Sequence, residues 1–159
     1  MGKKKYVAYV GTYTHGTSKG IQVYDVDVEK GTLTERSEVE GSNASHLAVS
    51  KNGKYLYSIE DEGVAVFERD KNGDLTRLNS VDINGMRGCY LATDVDGRYL
   101  YVAGYHDGKV TVVHTHKTAV WEVLWTAFST RDLEAWQSVT SVRMLIVYVR
   151  HRIISISVR

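Results

Sequence analysis

A chain of 159 residues is about one domain by length, and a formal net charge of +1 gives no pull toward nucleic acid or a membrane surface. A single cysteine, Cys89, excludes an internal disulfide, and no apolar run approaches the ~18 residues of a membrane span. The opening MGKKKYVAYVGTY has too few apolar residues before Gly11 for a secretion signal, so the expected location is cytoplasmic, with no membrane partner and no nucleic acid.

Taken in chain order, the elements are strands. YVAYVGTYT, Tyr6 to Thr14, is the first. GIQVYDVD follows from Gly20, with apolar residues at period two, and then a turn at Gly31 and the strand TLTERSEVE. HLAVSKNGKYLY begins at His46 and aligns without gaps on YLATDVDGRYLY, which begins at Tyr90. Each has an apolar alternating run, a turn ending in Gly53 or Gly97, and a Lys/Arg-Tyr-Leu-Tyr strand. Asn52-Gly53 and Asp96-Gly97 are hairpin signals, because glycine takes φ > 0 freely and Asn or Asp tolerates it. GVAVFERD from Gly63 and GKVTVV from Gly108 supply a third strand, and the Gly-x-Leu-Thr core at Gly31 and Gly73 leads into a fourth. A unit of four antiparallel strands, repeating from position 46 to position 90, has the period of a propeller blade.

The first segment matches the second strand of a unit, so the first blade lacks its inner strand. Counted this way, the repeat holds one incomplete blade, one complete blade from about His46 to Ile83, and three strands of another. Closure takes ~4–8 blades. The expected fold is therefore all-β: a partial propeller of about two and a half four-stranded blades.

The segments YVGTYTHGTSKGIQVYDVD, NASHLAVSKNGKYLYSIED and INGMRGCYLATDVDGRYLYVAGYHDGKVTVV resemble the opening of the lactonase-type seven-bladed propeller proteins, bacterial 6-phosphogluconolactonases among them. The resemblance covers roughly Tyr6 to Val113. It departs from the family in lacking proline altogether and in carrying Cys89-Tyr90 where Cys-His is common. It implies hydrolysis of 6-phosphoglucono-1,5-lactone, a small sugar-phosphate lactone, to 6-phosphogluconate in the pentose phosphate route. That chemistry needs no metal or other cofactor in principle: a base activates water, donors stabilise the oxyanion, and cationic side chains hold the phosphate. A non-catalytic propeller scaffold, or a truncated product without function, is the alternative, since fold does not fix function.

From His114 the repeat fails. All 14 glycines lie at or before Gly108, and all three tryptophans, Trp121, Trp125 and Trp136, lie after it. The chain is accordingly read as two parts, 1–113 from a propeller and 114–159 as an unrelated, out-of-frame tail. Within the tail, AVWEVLWTAF is legible as an amphipathic helix and RMLIVYV as a strand. A permitted codon set for LEAWQSVTSVRMLIVY, Leu133 to Tyr148, read two bases later gives a string containing Arg-Asn-Phe-Arg-Pro-His. That string resembles a segment whose Arg and His the family places in its central channel and ties to catalysis.

The candidate substrate-binding residues sit near strand starts and in one loop. His46 opens the inner strand of the complete blade; Arg87 and Tyr90 stand at the equivalent place in the next; His106 lies in the turn Tyr105-His106-Asp107-Gly108. Arg87 is the candidate phosphate contact, since a guanidinium binds oxyanions bidentately. For His46 the competing structural role is a bond to the neighbouring blade. No catalytic residue is assigned. His114 and His116 share one strand face, but zinc needs three or four ligands and no acidic or cysteine partner is near, so no metal site is expected. The pairs Tyr55/Tyr57 and Tyr99/Tyr101 are expected to pack between blades.

Overall fold

The computed structural model describes residues 6–115, 121–122, 128–129 and 156–157. Every regular element among them is a strand, and the strands form three sheets in chain order. The first sheet holds β1 (Tyr6–Gly11), β2 (Gly20–Asp27) and β3 (Thr32–Glu40). The second holds β4 (Leu47–Val49), β5 (Tyr55–Ile59), β6 (Gly63–Arg69) and β7 (Leu75–Asp82). The third holds β8 (Tyr90–Thr93), β9 (Tyr99–Ala103) and β10 (Lys109–Thr115). Within each blade, consecutive strands pair antiparallel, so the expected partial propeller is the observed architecture.

The repeat is visible in the turns. Ser50 Oγ accepts the Tyr55 amide at 2.9 Å, and the Asp94 carboxylate accepts the Tyr99 amide at 2.8 Å. Gly53 and Gly97 donate back to the Ser50 and Asp94 carbonyls at 2.9 and 3.2 Å. Both glycines have positive φ, 72° and 69°. Asn52 and Asp96 do not, so the connection is not the two-residue type I′ turn that Asn-Gly and Asp-Gly suggest. The side chain of residue 50 or 94 caps a longer loop, and one left-handed residue suffices to close it.

A second repeated feature has no local sequence signal. The pairing of β2 with β3 shifts between Val23 and Tyr24, and that of β6 with β7 shifts between Val66 and Phe67. A bulge at the same station of two blades increases the twist of the outer strands.

The middle blade is buried on both faces. Leu56, Ala65 and Phe67 pack toward the first blade with Ile21, Ala44 and Leu47. Tyr57, Ile59, Val64 and Val66 point the other way and pack with Leu91, Leu100, Val102 and Val113 of the third. Tyr57 and Tyr55 therefore lie between blades as expected; burial, with the charges of Tyr55 and Asp94, pushes the Tyr57 phenol up to about 12.

Short strands cover two further edges. β11 (Trp121–Glu122) and β12 (Phe128–Ser129) each pair antiparallel with the outer edge of β10, where a fourth strand belongs. The helical reading of AVWEVLWTAF is thus corrected at its described residues: Trp121, Glu122 and Phe128 are extended, because β10 offers an open row of backbone groups that a helix cannot pair. β13 (Ile156–Ser157) runs parallel to β1 in the inner position that the first blade lacks. The RMLIVYV segment lies outside the described residues.

Phe67 is fully buried at the junction of two blades, whereas Leu33 on β3 is 52 % exposed. Phe67→Ala is expected to cost about 3–5 kcal/mol, and Leu33→Ala to stay within about 0.5 kcal/mol. Urea unfolding followed by circular dichroism measures both, and equal midpoints for the two variants would contradict the two-sided core.

Candidate functional site

Antiparallel order within a blade sends the connection between its second and third strands to the same end as the link into the next blade. Residues 12–19, 41–46, 60–62, 83–89 and 104–108 therefore share one face of the assembly. All four candidate residues, His46, Arg87, Tyr90 and His106, lie on that face.

His46 and Tyr90 are brought together. They precede β4 and open β8, and their ring centroids are 4.6 Å apart at 50°. The His46 carbonyl accepts the Ile59 amide at 3.0 Å, which fixes its backbone to β5. Its Nδ1 accepts the Leu91 amide of the next blade at 3.3 Å. The bond to the neighbouring blade is therefore present. The ring is half-buried, and burial holds its pKa below the ordinary imidazole value.

Arg87 is built into a chain of contacts that crosses the blades. Its guanidinium donates to the Asn43 carbonyl, stands 3.6 Å from Asp61 and lies 4.8 Å from the centre of the Tyr13 ring. Asp61 in turn accepts from Ser42 Oγ at 2.6 Å and from Asn43 Nδ2 at 2.7 Å. Asn43 Oδ1 accepts the Thr14 amide at 2.7 Å. Asn43 is 6 % exposed and left-handed, with φ of 51°, a conformation that Asn tolerates better than most residues. The Ser42 hydroxyl is the main reason the Asp61 carboxyl sits below its ordinary range; burial opposes it, and Asn43, Arg87 and His15 add smaller lowering effects. A carboxylate so well supplied with donors is a weak general base.

His106 is exposed and rests edge-on against Tyr105, with centroids 5.5 Å apart. No ring contact or hydrogen bond among the described residues joins it to His46, Arg87 or Tyr90. Its neighbour Asp107 ties the loop down by accepting the Met86 amide at 3.0 Å and the Lys109 amide at 3.2 Å.

Beside this network lies a cleft lined by Ser42, Glu60, Asp61, Glu62, Arg77 and Asp82 among others. Glu60 is 7 % exposed and takes both guanidinium nitrogens of Arg77, at 2.6 and 2.8 Å. That bidentate pair raises the Arg77 pKa. With one arginine against four acidic side chains, the cleft repels anions.

Sequence reasoning missed Asn43, Asp61, Glu60 and Arg77. A usable signal for the first existed: Asn43 stands at the same repeat station as Arg87, separated by 44 positions. His114 lies on β10 with its ring 5.3 Å from that of Tyr99, and His116 is outside the described residues. Among the described residues no group of three or more His, Cys, Asp or Glu side chains is placed to hold a metal ion, and no helix is long and apolar enough to cross a membrane.

A blade repeat with its working loops gathered on one end defines a β-propeller. Residues 7–125 match the family described as "Lactonase, 7-bladed beta-propeller", and the chain belongs to that family. It is 42 % identical over 114 residues to the 6-phosphogluconolactonase of Bacillus subtilis strain 168, covering 68 % of this chain and 33 % of that protein. A 6-phosphogluconolactonase of Formosa agariphila is 34 % identical over 121 residues, covering 69 % of this chain and 34 % of the relative. The solved structure of a periplasmic gluconolactonase of Pseudomonas aeruginosa superposes with a TM-score of 0.72 at 26 % identity, over 79 % of this chain and 38 % of that one. The chain thus spans about a third of the length of the relatives it matches. The family match continues past Val113, through β11.

The His46 environment sets a pH dependence. Its folded pKa is lowered from 6.5, so below that pH the unfolded chain binds more protons than the folded one. Stability is therefore full above about 6.5 and falls as pH drops through the window down to the lowered value. Asp61 and Asp70, lowered from 3.8, lose their contributions only at more acid pH. The urea midpoint is expected to fall between about pH 7.5 and pH 5, and His46→Phe to remove part of that fall; an unchanged pH profile in the variant would refute the assignment.

Proposed function

We propose that this propeller serves the hydrolysis of 6-phosphoglucono-1,5-lactone to 6-phosphogluconate. The observation that carries the reading is the 42 % identity to a 6-phosphogluconolactonase across the blades described above. In this reaction water adds to the lactone carbonyl, the bond from that carbon to the ring oxygen breaks, and the ring oxygen takes a proton. The products are a carboxylic acid and a free hydroxyl. The protein has to orient the lactone, supply donors to the oxygen that becomes negative, and accept a proton from water.

In this reading His46 and Tyr90 form part of the channel wall, with Arg87 and His106 nearer the mouth. None of these four is assigned as the general base. The pentose phosphate route is the metabolic setting and the cytoplasm the compartment, because a phosphorylated lactone does not cross a bilayer unaided. A second reading, a binding scaffold or a product without catalysis, is favoured by one observation: the Arg87 guanidinium is already engaged by Asp61, Asn43 and Tyr13.

The assay is loss of 6-phosphoglucono-1,5-lactone with the purified 159-residue chain. Hydrolysis faster than the buffer blank is the expected result; a rate equal to the blank assigns this chain to the second reading.

The proposal for residues 114–159 is a tail read out of frame, with 1–113 as the family part. Its support is the loss of glycine after Gly108, the arrival of all three tryptophans, and the alternate reading of Leu133 to Tyr148. Sequencing the gene from codon 114 tests it. Further Asp-Gly-Lys-Tyr-Leu blades are expected in the alternate frame, and a stop codon soon after codon 114 in that frame would end the idea.

A further inference from the structure

We propose that His46 is a neutral hydrogen-bond donor to the ligand, held as the Nε2–H tautomer by the neighbouring blade and directed at an uncharged oxygen of a sugar lactone. This rests on the lactone reading above and specifies what one wall residue recognises.

The tautomer follows from the partner at Nδ1. The Leu91 amide can only donate, so Nδ1 supplies a lone pair and the ring hydrogen resides on Nε2. Orientation follows from three contacts. The Ile59 amide fixes the His46 backbone, the Leu91 amide fixes one ring edge, and the Tyr90 ring limits the swing of the imidazole. Nε2–H makes no hydrogen bond with any described residue. A half-buried donor without a protein acceptor is costly unless water or a ligand takes it. The position also suits the task, since inner strands of a propeller line its channel.

The choice of oxygen follows from charge. Burial of this imidazole and the Leu91 amide donating to Nδ1 both favour the uncharged ring. A neutral N–H is matched to a carbonyl or hydroxyl oxygen. A phosphate is better served by a guanidinium or an ammonium, whose hydrogen bonds are charge-assisted.

Two measurements on the full chain test this. Long-range proton–nitrogen correlation of the imidazoles is expected to show His46 with a protonated Nε2 and an acceptor Nδ1. Titration with freshly dissolved D-glucono-1,5-lactone is expected to move the His46 Nε2 resonance, while inorganic phosphate leaves it in place. A protonated Nδ1, or a response to phosphate alone, overturns the proposal. Lactone that moves other resonances of the face and not His46 overturns the proposal while leaving the lactone reading intact; lactone that moves none of them removes both.

The variants separate recognition from blade packing. His46→Asn keeps an acceptor within reach of the Leu91 amide and removes the Nε2 donor. It is expected to weaken lactone binding about ten-fold with Leu91 amide exchange unchanged. His46→Gln reaches the Nε2 position but serves Leu91 poorly, so exchange at Leu91 should speed up with a smaller loss of binding. Equal lactone affinity in His46→Asn and the parent chain would show that the side chain acts through packing alone.

Discussion

The constraint on which this structure depends is that a propeller blade has no solvent face. Each sheet buries one side on the blade before it and the other on the blade after it. The middle blade shows what this requires of a sequence. Val64, Ala65, Val66 and Phe67 are all buried, although successive side chains of a strand point to opposite faces. Val64 and Val66 meet the third blade, and Ala65 and Phe67 meet the first. A continuous apolar run is therefore the correct pattern for a central strand here, whereas β3, an outer strand, carries Glu35, Arg36, Glu38 and Glu40.

The same stacking creates the chemistry of the loop face. A residue in a link between blades can reach backward or forward, and the two equivalent links do different things. Arg87 reaches back to the Asn43 carbonyl, its own counterpart in the repeat. His46 reaches forward to the amide of Leu91. One contact is charged and surrounded by Asp61 and Tyr13; the other is neutral and leaves half of its imidazole uncommitted. A repeated backbone thus carries unrepeated side-chain roles.

These facts explain what could be read beforehand. The blade period, the strands and the two glycine turns were legible because each has a local cause: alternation, or a φ that glycine adopts easily. The bulges at Val23/Tyr24 and Val66/Phe67 were not, because nothing in either strand differs from a regular one; the twist of the whole sheet selects them. The hairpins were legible but their loop geometry was not, because Ser50 and Asp94, each five residues from the amide it serves, stabilise a loop that Asn-Gly or Asp-Gly alone does not describe. His46 and Arg87 were recognisable as candidates from their stations. Their partners were not, since Asn43, Asp61 and Leu91 are joined to them only when blades stack. The AVWEVLWTAF segment shows the opposite limit. Its apolar spacing fits a helix, but the unpaired edge of β10 exists only in the folded sheet.

Electrostatics then narrows what this loop face can accept. Its two arginines near the cleft are each matched by a carboxylate, Arg77 by Glu60 and Arg87 by Asp61. Glu62 and Asp82 add further negative charge beside them. Bringing a phosphate here would set two anions against each guanidinium and would break hydrogen bonds that Asn43 and Glu60 now satisfy. An uncharged oxygen meets no such opposition: it can approach the free edge of His46 without disturbing the network that aligns the blades. On the proposed reading, the recognition of sugar oxygens and the recognition of phosphate are therefore separable tasks, and the charge of the described loop face opposes only the second.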